Sequence, residues 1–261
     1  MLRQTSLMSA AVLAVLCSTC VCQAQPGPPA DGAIALWEFD EGAGTTAADS
    51  STAGGDHPGL LTDGVSWATD AERGTVLAFD SFDDFIDIPS FNLTSNTVTI
   101  TAWINGHKNA DWTGLVMSRG ADHVGVGISP DDRLCYVWGD DPNTYGWVDG
   151  PVIPTDQWTF VAMTIDPAKA QAHVGFNGEL LSGENVYSHV PQTIDALEIG
   201  RDSCCGGTRY FVGMMDQVAI YDRVLTIEEL TAMAIPEPST LAMLLATGLL
   251  GLLAAWRRRN A

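Results

Sequence analysis

Thr97-Val98-Thr99-Ile100-Thr101-Ala102-Trp103-Ile104 decides the fold class. Val98, Ile100, Ala102 and Ile104 fall on one side of an extended chain, and the threonines with Trp103 fall on the other. That two-residue period belongs to a strand with one face on a core. Working outward, Ala172, Val174 and Phe176 alternate against Gln171, His173 and Asn177 in the same way, while Trp158 to Ile165 is apolar on both faces. The second pattern predicts a central strand covered on both sides.

Turn residues cut these runs at short intervals: Asp63-Gly64, Pro130-Asp131-Asp132, Asp140-Asp141-Pro142-Asn143 and Gly206-Gly207. Asn177-Gly178 between two extended runs predicts a β-hairpin, because both residues tolerate the left-handed backbone of its tight turn. One internal helix is expected, where Thr226 and Glu229 form a capping box ahead of Leu230 and Met233. Many short strands, few helices and no strand-helix-strand rhythm predict an all-β, antiparallel two-sheet jelly-roll sandwich.

Both ends of the chain read differently. Arg3, an apolar run from Leu7 to Leu16 and the small residues up to Ala24 follow the order of a secretory signal peptide, which places a signal helix in 1–24 and a linker in 25–32. Ile235-Pro236-Glu237-Pro238 leads into an apolar run over 241–256, closed by Arg257, Arg258 and Arg259. That run is short for a transmembrane helix, which needs roughly twenty residues, and the arginines would hold its end on the cytoplasmic side. Pro236, Glu237 and Pro238, with the apolar stretch and the arginine cluster, resemble the PEP-CTERM sorting tail, here 235–261. The resemblance implies recognition by an exosortase-type membrane enzyme, transient or lasting contact with the membrane, and a secreted or cell-surface location.

Residues 33–234 form the single folded domain. Removing Arg3, Arg257, Arg258, Arg259 and Glu237 from the chain's 12 basic and 32 acidic residues leaves 8 against 31, a net charge of −23. Such a field repels phosphate backbones and argues against nucleic acid as a partner. Cys17, Cys20 and Cys22 leave with the signal, so the domain keeps Cys135, Cys204 and Cys205. A disulfide from Cys135 to either of the pair, or a bridge between Cys204 and Cys205, would suit an oxidising compartment.

The order of the segments resembles the laminin G-like, concanavalin A-like jelly roll. Leu36-Trp37-Glu38-Phe39-Asp40-Glu41-Gly42, Leu77-Ala78-Phe79-Asp80, Gln157-Trp158-Thr159-Phe160-Val161-Ala162 and Gly213 to Leu225 carry the likeness. Strict alternation puts Asp216 on the apolar face of Val212, Met214, Val218 and Ile220, where a lone carboxylate must be bonded, paired or bound to a cation, whereas one β-bulge would reverse the parity and leave Asp216 capping a turn. The resemblance implies a structural calcium at Asp216, with Asp40 as a further ligand. Asp80, Asp83, Asp84 and Asp87 read as a solvated acidic loop.

Catalytic templates are missing: the chain has no HExxH, GxSxG or phosphate loop, and no alternating carboxylate trio of the kind glycosidases of this fold use. Trp112, Trp138, Tyr145 and Trp147 cluster with Asp140 and Asp141 in or beside polar loops, where the rings either seal the sandwich edge or, beside such acceptors, suit a sugar. These residues and the resemblance together predict a non-catalytic surface or matrix module for a polysaccharide or another envelope component. A purely structural spacer and a divergent glycoside hydrolase are the competing expectations.

Overall fold

The computed structural model describes residues 32–80, 83–206 and 209–234. The signal segment, the sorting motif and the apolar run 241–256 lie outside them. Strands β1 (Ala35–Trp37), β2 (Thr46–Ala47), β3 (Gly59–Thr62), β4 (Ser66–Asp70), β5 (Gly74–Phe79) and β6 (Phe85–Ile88) open the domain. They are followed by β7 (Leu93–Ser95), β8 (Val98–Lys108), β9 (Thr113–Ser118), β10 (Val124–Ile128), β11 (Leu134–Trp138) and a one-turn helix α1 (Pro142–Tyr145). Then come β12 (Thr159–Ile165), β13 (Ala170–Phe176), β14 (Glu179–Asn185), β15 (Gln192–Ile194) and β16 (Leu197–Ile199). The short β17 (Arg201–Asp202), the long β18 (Arg209–Tyr221) and α2 (Ile227–Ala234) close it.

Two antiparallel sheets stack face to face. One runs β14-β13-β12-β8-β18-β5-β4 with β1 and β17 also on β18, the other β11-β10-β9-β16-β6-β3-β2. Val98, Ile100, Ala102 and Ile104 enter the core between the sheets, as their alternation predicts, beside Val161, Met163, Val174, Met215, Leu134 and Tyr136. The opposite face of β8 departs from the half-buried expectation, for Thr99, Thr101 and Trp103 are buried as well. The cause is α2, whose Leu230, Met233 and Ala234 pack with Trp103, Phe160, Ala162, Ala219 and Tyr221 on the outer side of the nine-stranded sheet. Each such buried side chain contributes on the order of 1.5–3 kcal/mol relative to exposure.

Local signals are met where they were read. Asn177 and Gly178 adopt φ of 51° and 78° between β13 and β14, which pair from Phe176 to Glu179 outward. Thr226 Oγ1 accepts from Glu229 N at 3.2 Å, and Glu229 Oε2 accepts from Thr226 N at 2.7 Å, completing the capping box. Cys204 bonds to Cys205, leaving Cys135 as a buried thiol.

Two sequence expectations need correction. Asp216 pairs with Trp103 of β8 but Ala219 pairs with Thr101, so β18 carries one extra residue at a bulge where Gln217 has φ of 50°. The bulge reverses the alternation: Met215 and Val218 both face the core, and Asp216 is on the outer side with Trp103 rather than on the face of Val218 and Ile220. Asp84 is no part of a solvated loop, being fully buried and accepting from Asp80 N at 2.7 Å.

Candidate binding groove

The outward faces of β9, β10 and β11 form the floor of a groove. Met117 and Val137 stand opposite Gly125, and Gly114 and Cys135 stand opposite Gly127, in register across the three strands. Side chains at these central glycines would clash, since a Cβ on Gly127 would lie 2.3 Å from Thr113 O and one on Gly125 2.5 Å from Met117 Sδ. The floor is therefore low and apolar, and the space above it measures about 420 Å³.

One wall is aromatic. Trp112, from the loop after β8, meets Tyr145 of α1 edge to face, with ring centroids 6.5 Å apart at 83°. Asp141 holds that wall in place as N-cap of α1, accepting from Asn143 N at 2.9 Å and from Tyr187 OH at 2.7 Å. The Tyr187 bond first, then those from Asn143, hold the Asp141 carboxyl below the usual carboxylate range.

The other wall is charged and covalently stiffened. Arg119 grips buried Asp202 through Nε at 2.7 Å and Nη2 at 3.0 Å, and Arg209 Nη1 donates to the same carboxylate at 3.0 Å. Cys204 N also donates to Asp202 at 3.0 Å, which sets the Cys204–Cys205 turn against the groove. Burial pushes the Asp202 carboxyl up, but the bonds from Arg119, Cys204 and Arg209 together hold it below its ordinary value. Asp140 closes the end of the groove, bonded to Arg119 at 3.3 Å and to His123.

Three of the six residues singled out in the sequence, Trp112, Asp140 and Tyr145, line this groove, and Asp141 supports it from behind. Trp138 is corrected: at 3% exposure its ring belongs to the core between the sheets, and its Nε1 donates to Val190 O at 2.7 Å. Strand parity explains this, since Trp138 shares a face with Leu134 and Tyr136 while Cys135 and Val137 face outward. Trp147 is likewise turned to the core, with its ring 6.0 Å from that of Tyr136. Sequence reasoning missed Arg119, Asp202 and Arg209, since Arg119 lies 83 positions from Asp202, the carboxylate it shares with Arg209. The run Val124-Gly125-Val126-Gly127-Ile128 carried a usable signal, because glycines alternating with core residues mark an emptied outer face.

The region expected to hold calcium is organised otherwise. Arg73 Nε donates to Asp216 Oδ2 at 2.6 Å and Nη2 to Gln217 Oε1 at 2.5 Å, with both charged side chains almost wholly buried. The guanidinium lies 4.2 Å from the ring centroid of Trp103 and 5.4 Å from that of Trp158. Burial raises the Asp40 carboxyl first, helped by Glu38 and Glu41, while nearby Arg73 lowers it. A guanidinium in contact with Asp216 supplies a counter-charge there, and the nearby Asp40 carboxylate raises Asp216 further. Among the described residues no group of three or more His, Cys, Asp or Glu is placed to hold a metal.

The model of the concanavalin A-like lectin/glucanases superfamily matches residues 79–231, and that of the PEP-CTERM protein-sorting motif matches 234–259. No curated protein matches the chain in sequence. Among solved structures, domain 4 of AbnA, a GH43 extracellular arabinanase from Geobacillus stearothermophilus in complex with arabinotriose, is similar with a TM-score of 0.58 and 21% identity, over 77% of this chain and 98% of that one. Trypanosoma rangeli sialidase in complex with sialic acid gives 0.54 and 13%, over 82% of this chain and 35% of its own. The binding domain of botulinum neurotoxin serotype D/C gives 0.53 and 10%, over 77% of this chain and 51% of that one. At such identities the likeness concerns the fold alone. With two stacked antiparallel sheets and a family match over more than half its length, the chain belongs to the concanavalin A-like lectin/glucanases superfamily and carries a PEP-CTERM protein-sorting motif.

Proposed function

We propose that this is an exported envelope protein, processed by an exosortase-type enzyme, whose groove on the seven-stranded sheet binds a saccharide without cleaving it. The observation that carries the reading is the edge-to-face pair of Trp112 and Tyr145 over a glycine-lowered floor, opposite Arg119, Asp140 and Arg209. A sugar ring presents an apolar C–H face and a rim of hydroxyls, which such a wall and such donors and acceptors complement. The sorting motif marks the chain for export and envelope attachment, and the arabinanase domain of the same fold was solved with an arabinose trisaccharide.

A non-catalytic role is favoured by the carboxyls in the groove. Glycoside hydrolysis needs a general acid with a raised pKa, whereas Asp202 is held ionised by two guanidinium groups. A glycan array probed with the full chain in mild detergent is expected to give hits that Trp112→Ala and Tyr145→Ala each weaken about tenfold without loss of folding. Reducing-sugar release from a bound polysaccharide would instead support a hydrolase, and an array with no hits would leave only a structural spacer.

A further inference from the structure

The charged wall of the groove ends in a covalent bond between chain neighbours. Cys204 and Cys205 are joined to each other and both border the groove, in a turn that continues to Gly206. A bridge between adjacent residues closes the shortest loop a chain can make, so it removes little freedom from the unfolded chain and contributes little to global stability. What it fixes is local. Cys205 has φ of 58°, a left-handed backbone that is unfavourable for a residue with a side chain, and Gly206 follows at 102°. The bond ties Cys205 to Cys204 in that conformation, and Cys204 N in turn donates to Asp202 at 3.0 Å. Asp202 is the carboxylate on which Arg119 and Arg209 are both seated. One backbone N–H therefore links the bridge to the two guanidinium groups that border the ligand space.

Access also singles out this bond. Cys205 is exposed and Cys204 half-buried, so a dissolved dithiol reaches the bridge. Cys135, the third cysteine on the groove, is buried in the floor, and burial pushes its thiol up to about 12. A thiol that does not ionise does not attack a disulfide, so exchange has to come from outside the domain.

We propose that the Cys204–Cys205 bridge is a redox clasp on the groove: closed, it holds the charged wall ready for a saccharide, and opened, it lets that wall slacken and the ligand leave. This rests on the saccharide reading of the groove. Opening is thiol–disulfide exchange with an external dithiol. Its thiolate attacks one sulfur, the S–S bond breaks, and the other cysteine departs as a thiolate and takes a proton. The second thiol of the reagent then closes the reagent's own disulfide and releases the attacked cysteine, so two electrons and two protons pass from the dithiol to the bridge. Freed of the bond, Cys205 returns to a right-handed backbone and the Cys204 N–H leaves Asp202. Thiols stay reduced in a cytosol and pair outside it, so the groove takes its binding form only where the sorting motif directs the chain.

The test is a glycan array probed with the full chain in mild detergent, equilibrated with oxidised glutathione or with dithiothreitol, beside alkylation mapped peptide by peptide. Saccharides held by the oxidised chain are expected to bind about tenfold more weakly after reduction, the loss that goes with having to order one or two side chains on binding. Alkylation should then mark Cys204 and Cys205 and spare Cys135, and Tm should move little. Returning the chain to oxidised glutathione should restore binding. Cys204→Ala combined with Cys205→Ala should bind like the reduced chain whatever the reagent. Equal binding in the two states, alkylation of Cys204 or Cys205 in the oxidised chain, or a response to dithiothreitol that persists in the double variant would each overturn the clasp. Hits that depend on Trp112 but ignore the reagent end this proposal alone, whereas an array empty in both states ends the groove reading and the clasp together.

Discussion

Replacing Arg73 by Met tests how the bulge in β18 is held. In the native fold the Arg73 and Asp216 side chains are 2% and 4% exposed and meet at 2.6 Å, so neither charge has water as a substitute partner. Methionine keeps much of the length and the contact with Trp103 and Trp158 but leaves Asp216 and Gln217 without their donor. Removing one member of a buried pair costs about 3–5 kcal/mol. For a domain of this size each kcal/mol moves Tm by about 2–4 °C, which gives a fall of about 6–20 °C.

The loss must also depend on pH. Burial pushes the Asp216 carboxyl up to about 6 even while Arg73 pulls it down. Without Arg73 its folded pKa rises further, so the added deficit is small at pH 5, below both folded pKa values, opens above about 6 and levels off once the variant's own folded pKa is passed. Thermal unfolding followed by circular dichroism at pH 5 and pH 8 reads both effects. A drop of less than about 1 kcal/mol that is equal at the two pH values would refute the claim that this pair is a buried, mutually dependent charge couple.

Other expectations follow from the same structure. Burial lowers the His173 imidazole to about 4, so native stability should fall by about 3 kcal/mol as pH drops from 6.5 to 4, where only the unfolded chain takes the proton; His173→Phe should flatten that part of a stability–pH curve. Trp138→Ala should destabilise the domain by about 3–5 kcal/mol through an unfilled core, whereas Trp112→Ala should shift Tm little and act on glycan binding, a contrast that differential scanning fluorimetry beside the array resolves. Chelation with excess EDTA tests the calcium expectation at Asp216: a fall in Tm of several degrees would show a bound metal stabilising the fold, and an unchanged Tm that the Arg73 guanidinium suffices as counter-charge.

Much of the architecture is legible in local pattern. The β8 alternation, the Asn177-Gly178 hairpin and the Thr226–Glu229 box each depend on residues a few positions apart, so short-range sterics and hydrogen bonding decide them. The candidate sites are less legible because they are long-range. Arg73 reaches Asp216 across 143 positions and Arg119 reaches Asp202 across 83. The bulge at Gln217 shifts parity by a single residue, which periodicity alone cannot foresee. Trp138 shows the opposite failing: its parity with Leu134 and Tyr136 was there to read, but the acidic turn that follows it suggested a surface ring.

The placement of α2 gives the molecule a direction. The chain leaves the domain at Ala234 on the outer side of the nine-stranded sheet, and the sorting motif begins there. The sorting tail therefore continues from the helix-bearing side, and the glycine-floored groove lies on the other sheet, away from the point where the chain leaves the domain.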